Sequence, residues 1–127
     1  MGKGYLIDTN AVVDYLENKL PDTASALIDA LSIQISVISR IELLAWSKIT
    51  KNQLEVLNGF INASQVFGLD EAVILKTIEL RKNHRVKLPD AIIAATAIVN
   101  DLDLLTRNIN DFEKISGLNS INPYNLK

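Results

Sequence analysis

The sequence predicts an α/β fold in which helices cover both faces of a central, mostly parallel sheet. Segments typical of short buried strands alternate with segments whose apolar residues recur at helical spacing. The chain has 127 residues and 48% of them are apolar, so a hydrophobic core of ordinary size can form. We therefore expect one domain over residues 1–127, with four or five short strands in its sheet.

The first strand and the first two helices are predicted near the start of the chain. Residues 5–7 (YLI) are apolar and are followed at once by polar side chains, which indicates a short buried strand. Apolar residues then recur at helical spacing from Asn10, where we expect a helix to begin. The break at residues 20–22 (LPD) separates it from a second helix, which Asp22 or Thr23 would cap.

A second strand is predicted at residues 33–39 (IQISVIS), because β-branched residues are frequent in this segment. The strand and the next helix would be adjacent, since Ser39 is in a position to cap that helix. The inward face of the helix would carry Ile41, Leu44 and Ala45.

The middle of the chain predicts two helices with a weak strand between them. Residues 51–63 have the apolar spacing of an amphipathic helix, and residues 64–69 (SQVFGL) indicate a short strand interrupted by Gly68. Asp70 is expected to cap the following helix. The predicted inward face of that helix consists of Ala72, Leu75 and Ile78.

The last third of the chain predicts an alanine-rich helix and two further strands. Residues 86–100 (VKLPDAIIAATAIVN) contain the helix, with Pro89 in its first turn and alanines that allow close packing on a sheet. Residues 103–106 (DLLT) indicate a fourth strand, and residues 108–115 a polar loop with a short helix. Residues 119–125 (NSINPYN) are compatible with an edge strand that ends at its proline.

Acidic residues stand near the predicted strand ends, or at the helix starts beside them. In a parallel α/β sheet, ligands bind outside the carboxyl ends of the strands. If the sheet has this topology, these carboxylates converge on one cleft. The four candidates are Asp8, Glu42, Asp90 and Asp111.

Converging carboxylates repel one another, so in a partly desolvated cleft some must take up protons or bind a cation. The chain has no cysteine and one histidine, and oxygen ligands favour a hard ion such as Mg²⁺ or Mn²⁺. Such an ion positions a phosphodiester and helps to ionise a water for in-line attack. It would also join a phosphate backbone to a chain whose net charge of -2 gives no bulk attraction to nucleic acid.

Four segments together resemble a known family: LIDTNAVVDYL, SVISRIELLAW, LPDAIIAATAIVNDLDLLTRNINDF and the closing INPYN. They look like a PIN-domain ribonuclease, and most like the VapC-like toxin of a type II toxin–antitoxin pair. The resemblance implies a three-layer α/β/α sandwich and a metal-dependent endoribonuclease that cleaves RNA. It also implies a homodimer and a cognate antitoxin protein that blocks the cleft.

The resemblance implies that Asp8, Glu42 and Asp90 hold the metal ion, because they match the acids of the family's first three motifs. The fourth acid varies in position within the family. Asp111 is the candidate here, since Asn108 stands where some relatives have an acidic residue. Neighbouring polar residues would hold waters or orient the carboxylates, namely Thr9, Asn10, Ser39, Thr106 and Asn108.

Two arginines, Arg40 and Arg107, lie beside these motifs and are candidates for contact with RNA phosphates. Three other aspartates, Asp14, Asp101 and Asp103, are expected to be solvated or to cap helices. Trp46 is expected in the core, or in contact with a second subunit or the antitoxin. None of the three aspartates is expected to take part in the site.

Each acidic residue also has a purely structural interpretation. Asp8 suits a helix cap, and Glu42 could be the capping-box partner of Ser39, since the pair has the Ser-x-x-Glu form. Asp90 at a helix start would interact favourably with the helix dipole, and Asp111 could cap a short helix. The set of four favours the metal site, whereas each residue alone does not decide between the two roles.

Two other functions are compatible with the sequence. One is a PIN-like module that binds RNA or protein without cleaving it. The other is an aspartyl-phosphate phosphatase with Asp8 as nucleophile, but the second aspartate of that motif is replaced by Asn10. The N-terminal residues do not have the pattern of a signal peptide, and no apolar run has the length of a membrane span, so we expect a cytoplasmic protein without membrane contact.

Overall fold

A computed structural model describes residues 4–126 and has the expected α/β architecture. Five short strands alternate with seven α-helices in this part of the chain, and a 3₁₀ turn follows at Pro123–Asn125. The strands are β1 Tyr5–Ile7, β2 Gln34–Ser36, β3 Gln65–Phe67, β4 Asp103–Leu105 and β5 Ser120–Ile121. The helices are α1 Thr9–Leu16, α2 Asp22–Ala30, α3 Val37–Leu44, α4 Lys51–Asn62, α5 Glu71–Asn83, α6 Leu88–Val99 and α7 Ile109–Phe112.

All strand pairs in the described chain are parallel. The strands form a three-stranded sheet in the order β1-β4-β5 and a two-stranded sheet of β2 and β3. β1 and β2 lie next to each other, so the two sheets continue one another across the middle of the molecule. The sequence predicted one sheet of four or five strands, and the structure has five strands divided between two sheets.

Consecutive residues of the central strands enter different cores, as the alternation of a β-strand requires. Leu6 and Leu104 pack in the core on the side of α5, α6 and α7, whereas Ile7 and Leu105 pack in the core on the side of α1 to α4. All four side chains are at most 1% exposed. Each such side chain contributes roughly 2 kcal/mol of hydrophobic stabilisation, so the strands are fixed from both faces.

The alanine-rich helix α6 is confirmed as a buried element. Pro89 lies in its first turn, and Ala91, Ala94, Ala95 and Ala97 are 0% exposed. The small side chains let α6 pack against β4 and α5 together, which fixes the position of its first turn relative to the sheet.

The start of α3 differs from the prediction. The helix begins at Val37 and its N-cap is Ser36, whose hydroxyl accepts a hydrogen bond from the backbone N–H of Ile38 at 3.0 Å. Ser39 is therefore not the cap and lies buried inside the helix. The inward face is also shifted, because Ile41 is 57% exposed. The β-branched residues 37–38 made the strand look longer in the sequence. The strand ends at Ser36 because this residue caps the helix.

Other predicted caps and faces gave mixed results. Asp70 caps α5 through the backbone N–H of Val73, as expected. By contrast, α2 begins at Asp22 after Pro21 and has no side-chain cap, so neither Asp22 nor Thr23 is its N-cap. The predicted inward face of α5 was wrong, because Ala72, Leu75 and Ile78 are exposed and the buried residues are Val73, Thr77 and Leu80. In residues 4–126, no helix is long and apolar enough to cross a membrane.

Candidate active site

The candidate site lies at the carboxyl ends of β1 and β4, which are neighbours in the sheet. Asp8 and Thr106 are the first residues after these strands, and they lie side by side because Ile7 pairs with Leu105. The backbone N–H of Asp8 also donates to the carbonyl of Leu105 at 2.9 Å, so the sheet holds the backbone at Asp8. This is the edge of a parallel sheet at which α/β proteins bind ligands.

Asp8 is 5% exposed, and both oxygens of its carboxylate accept hydrogen bonds. Oδ1 accepts from the backbone N–H of Thr9 at 2.8 Å, which makes Asp8 the N-cap of α1. Oδ2 accepts from Thr106 Oγ1 at 2.8 Å and from Asn10 Nδ2 at 3.1 Å. The capping role and a role in the site are therefore compatible, since they use different oxygens.

The pKa of Asp8 is raised above its ordinary value, mainly because burial removes water from the charged carboxylate. Hydrogen bonds from Thr106 and Thr9 oppose this rise, and the negative charges of Asp90 and Glu42 add to it. A buried carboxylate with acidic neighbours is a group that a bound cation stabilises.

Glu42 reaches the same cleft from α3. Its Oε1 accepts a hydrogen bond from Thr9 Oγ1 at 2.5 Å, and the hydroxyl of Ser39 lies 2.9 Å from that of Thr9. Because the single proton of Thr9 goes to the carboxylate, Ser39 is the donor in the second contact. Glu42 is thus oriented toward α1, and the capping-box interpretation is wrong since the cap of α3 is Ser36.

Asp90 approaches the cleft from the first turn of α6 and is partly buried. Its pKa is raised, first because of burial and then because of the negative charges of Asp111 and Glu42, while Lys87 opposes the rise. Asp111 is exposed and lies in the first turn of α7, whose N-cap is Asn108, so it is not a helix cap. Asp8, Glu42 and Asp90 are therefore within electrostatic reach of one another, and Asp111 is within reach of Asp90. The four acids come from different elements.

The donor atoms of the site suit a hard divalent cation, since the groups that face it are carboxylates, hydroxyls and amides. Among residues 4–126, no three acidic or histidine side chains lie close enough together to form a ready-made metal cage. The carboxylates repel one another, and Glu42 is hydrogen-bonded to Thr9 instead. Mg²⁺ usually binds through a small number of carboxylates and keeps several waters, so it does not require such a cage.

Arg107, in the loop after β4, forms an ion pair with a buried acid of α1 that the sequence did not reveal. Asp14 was expected to be solvated, but it is 2% exposed and accepts hydrogen bonds from Arg107 Nη1 at 3.0 and 3.2 Å. Tyr124 Oη also donates to Asp14 at 3.0 Å. The spacing along α1 could have indicated that Asp14 faces the site, because Asn10 and Asp14 are four residues apart and so face the same way.

Arg107, a predicted phosphate contact, is thus paired with Asp14, although its side chain remains 51% exposed. Arg40 is exposed on α3, two residues before Glu42. Asn108 joins the site through its backbone, whose N–H donates to Thr106 Oγ1 at 3.0 Å. The Thr106 hydroxyl therefore accepts from the loop and donates to Asp8, so it connects the two.

An apolar groove of about 840 Å³ runs from the acidic cleft between α1, α3 and α4. Thr9 and Glu42 line its end at the cleft. Val13, Trp46 and Val56 line its walls and are 37%, 47% and 55% exposed. Trp46 is therefore not a core residue, and the groove offers a hydrophobic surface beside the site.

The fold and the site define a class of protein, namely a three-layer α/β domain with an acidic cleft at the carboxyl ends of parallel strands. Within this class, the chain belongs to the PIN domain family, whose model matches residues 5–118. The chain is also similar to ribonuclease VapC19 of Mycobacterium tuberculosis, with 35% identity over 116 residues that cover 84% of this chain and 90% of the relative.

Solved structures of toxin–antitoxin proteins have the same fold. A toxin–antitoxin complex from Klebsiella pneumoniae contains a chain with 29% identity and a TM-score of 0.77, covering 95% of this chain and 98% of that one. A chain of DNA-bound VapBC from Salmonella typhimurium has 27% identity and a TM-score of 0.79, with coverage of 94% and 98%. VapBC2 from Rickettsia felis, bound to promoter DNA, gives 26% identity and a TM-score of 0.77, with coverage of 93% and 97%.

Proposed function

We propose that this chain is a Mg²⁺- or Mn²⁺-dependent endoribonuclease, acting as the toxin of a toxin–antitoxin pair in the cytoplasm. The observation that carries the proposal is the cleft in which Asp8, Glu42 and Asp90 lie within electrostatic reach of one another. Membership of the PIN domain family and 35% identity to a ribonuclease support the same activity. Residues 1–127 would act as one nuclease domain.

The ion would supply Lewis-acid chemistry and lower the pKa of a water that attacks the phosphodiester. Asp8, Glu42, Asp90 and the exposed Asp111 are the residues proposed to hold it. Their hydrogen-bond partners fix the carboxylates in advance, since Thr106 holds Asp8 and Thr9 holds Glu42. Such preorganisation reduces the rearrangement that substrate and ion require on binding.

Asp90 is our candidate for the base that accepts a proton from the attacking water. Asp8 is less suited to this step because three donors already occupy its carboxylate.

The RNA backbone would be bound at the edges of the cleft by cationic side chains. Arg40 is exposed on α3 beside Glu42, and the half-exposed Arg107 retains donors besides the Nη1 that binds Asp14. These contacts would position the substrate without reading its sequence.

The cognate antitoxin is proposed to bind in the apolar groove. Its occupant would bury Val13, Trp46 and Val56, as an amphipathic segment does in a hydrophobic groove. Because the groove ends at Thr9 and Glu42, a bound segment would cover the acidic cleft and exclude RNA. The complexes of toxin and antitoxin among the similar structures support this partner.

A homodimer is proposed to form through the opposite layer of the molecule. Ile74, Leu75 and Ile78 of α5 are 40%, 59% and 47% exposed, and Leu88 at the start of α6 is 49% exposed. Ile78 and Leu88 line one shallow depression. A self-complementary apolar face of this kind suits a two-fold interface between identical chains.

Cleavage of RNA by the purified chain tests the proposed activity. We expect cleavage of mixed RNA with Mn²⁺ or Mg²⁺, loss of cleavage in chelator, and a decrease of at least about a hundredfold in Asp8→Asn. Glu71→Gln is the matched control, since Glu71 is an exposed acid on α5, and it should retain full activity. Absence of metal-dependent cleavage by the wild type would leave a PIN-like binding module as the function.

The phosphatase alternative can be distinguished from the nuclease by the covalent intermediate that it requires. That mechanism would place a phosphoryl group on Asp8, but Asn10, which replaces the second aspartate of the motif, donates a hydrogen bond to the same carboxylate. Mass spectrometry of the protein after incubation with phosphorylated substrates should detect no phosphoaspartate.

A further inference from the structure

Three residues from distant parts of the sequence meet at the buried carboxylate of Asp14, beside the proposed site. The carboxylate of Asp14 on α1 accepts two hydrogen bonds from Nη1 of Arg107, which follows β4, and one from the hydroxyl of Tyr124. Tyr124 belongs to the 3₁₀ turn near the end of the described chain and lies outside residues 5–118, which the family model matches. The metal site proposed above does not include any of the three.

The burial of the Asp14 carboxylate costs free energy. A buried carboxylate loses its hydration, and only well-placed donors offset that loss. Asp14 is 2% exposed, while Arg107 is 51% exposed, so the acid rather than the arginine bears most of the desolvation. An ion pair that served only as a surface link would not require a buried carboxylate.

The cluster is connected to Asp8 by a short chain of hydrogen bonds. The backbone N–H of Arg107 donates to Asn10 Oδ1 at 3.0 Å, which turns the amide so that Nδ2 faces Asp8 Oδ2 at 3.1 Å. The preceding residue, Thr106, donates to the same oxygen at 2.8 Å. Asn10 therefore depends on where the loop at residues 106–108 lies, whereas Thr106 is also held by its backbone N–H, which donates to the carbonyl of Ile121 at 3.0 Å.

We propose that Asp14 and Tyr124 are positioning residues of the nuclease. They hold Arg107 in place, and with it the loop at residues 106–108. The backbone N–H of Arg107 then orients Asn10, which helps to orient the carboxylate of Asp8. The inference rests on the proposed function for its kinetic consequence, but the link between Tyr124 and the loop is a property of the metal-free protein.

The chain offers a matched pair of variants for the test. Tyr124→Phe removes a hydroxyl that donates to Asp14, and Tyr15→Phe removes a hydroxyl that donates to the carboxylate of Asp29, in a pair that has no contact with Asp8. Asp14→Asn is the second variant of the cluster. With Mn²⁺ and RNA, we expect Tyr124→Phe and Asp14→Asn to lower kcat about tenfold with KM changed less than about twofold, and Tyr15→Phe to change neither.

Amide hydrogen exchange of the metal-free protein provides a readout that does not depend on activity. We expect the amide of Arg107 to exchange faster in Tyr124→Phe than in the wild type, and to be unchanged in Tyr15→Phe. An unchanged kcat in Tyr124→Phe would overturn the inference, and so would a raised KM with an unchanged kcat, because the cluster would then act only through the contact of Arg107 with RNA. If the wild type cleaves no RNA, the proposed function fails, and faster exchange at Arg107 still supports the structural link.

Discussion

At the scale of single residues, Asp8 caps α1 with one carboxylate oxygen while residues of the candidate site hold the other, although the sequence presents capping and a role in the site as alternatives. Its Oδ1 caps α1 through Thr9, and its Oδ2 is held by Thr106 and Asn10. The cap explains why a carboxylate is tolerated at the junction of a buried strand and a helix. It does not remove the cost of burial, because the pKa of Asp8 is still raised.

The burial of Asp90 and the negative charges of Asp111 and Glu42 predict that Asp90→Asn stabilises the metal-free protein. The pKa of Asp90 is raised in the folded state, so the folded protein binds its proton more tightly than the unfolded chain does. The stabilisation from this proton is complete below the ordinary value of 3.8 and is lost as the pH rises through the raised pKa. At pH 7, Asp90→Asn should therefore unfold with a higher free energy than the wild type.

Urea unfolding in chelator at several pH values checks this expectation. The advantage of Asp90→Asn should shrink as the pH falls toward 3.8, because the wild-type carboxyl is then protonated as well. Glu71→Gln, which removes an exposed acid far from the cleft, serves as the control. A difference between Asp90→Asn and the wild type that is constant with pH would contradict the destabilisation of the Asp90 carboxylate by burial and neighbouring charges.

The raised pKa values also predict how cleavage depends on pH. Asp8 and Asp90 must be ionised to bind a cation, and both have a pKa above the ordinary value for an aspartate. At limiting Mn²⁺, cleavage should therefore begin to fall at a pH above that at which an exposed aspartate titrates. Saturating Mn²⁺ should move this acid limb to lower pH, because the ion competes with the proton. A limb that does not move with Mn²⁺ concentration would argue against these carboxylates as ligands.

At the scale of elements, the sequence predicted helices and strands correctly where a segment has one clear apolar pattern. It failed to predict the buried face where apolar residues lie on two faces. The alanine-rich α6 and the strand β1 have clear patterns, and both were predicted. Helix α5 has apolar residues on two faces, so its sequence could not show that Val73 is buried while Leu75 is exposed. Asp14 was missed because its partners, Arg107 and Tyr124, are 93 and 110 residues away in the sequence.

The cap of α3 provides a direct test of the corrected helix start. Ser36→Ala should lower the free energy of unfolding by about 1 kcal/mol, because it removes the hydroxyl that accepts from the N–H of Ile38. Thr50→Ala removes the equivalent cap of α4 and should have a similar cost, while leaving cleavage intact. Ser39→Ala leaves the cap in place. It should lower cleavage instead, because Ser39 contacts Thr9, which orients Glu42. If Ser39→Ala lowers the free energy of unfolding more than Ser36→Ala does, Ser39 would be the cap of α3, as the sequence predicted.

At the scale of the whole molecule, the two layers of helices carry different exposed apolar surfaces. The groove between α1, α3 and α4 reaches the cleft, whereas the exposed face of α5 lies on the other side of the sheet. The two surfaces proposed for the antitoxin and for a second copy of the chain are therefore separate. The family resemblance implied both partners, but the sequence could not show which apolar residues are exposed, because exposure depends on how the layers pack.

Charge substitutions on each surface should separate the two partners. Leu75→Glu places a carboxylate in the middle of the α5 face and should weaken the homodimer about a hundredfold or more, since a buried charge without a partner opposes association. Val56→Glu, at a similarly exposed position in the groove, should leave the dimer intact and weaken binding of the antitoxin instead. Sedimentation equilibrium measures the first effect, and titration with the purified antitoxin measures the second. A dimer that survives Leu75→Glu but dissociates in Val56→Glu would assign the groove, rather than α5, to the second copy of the chain.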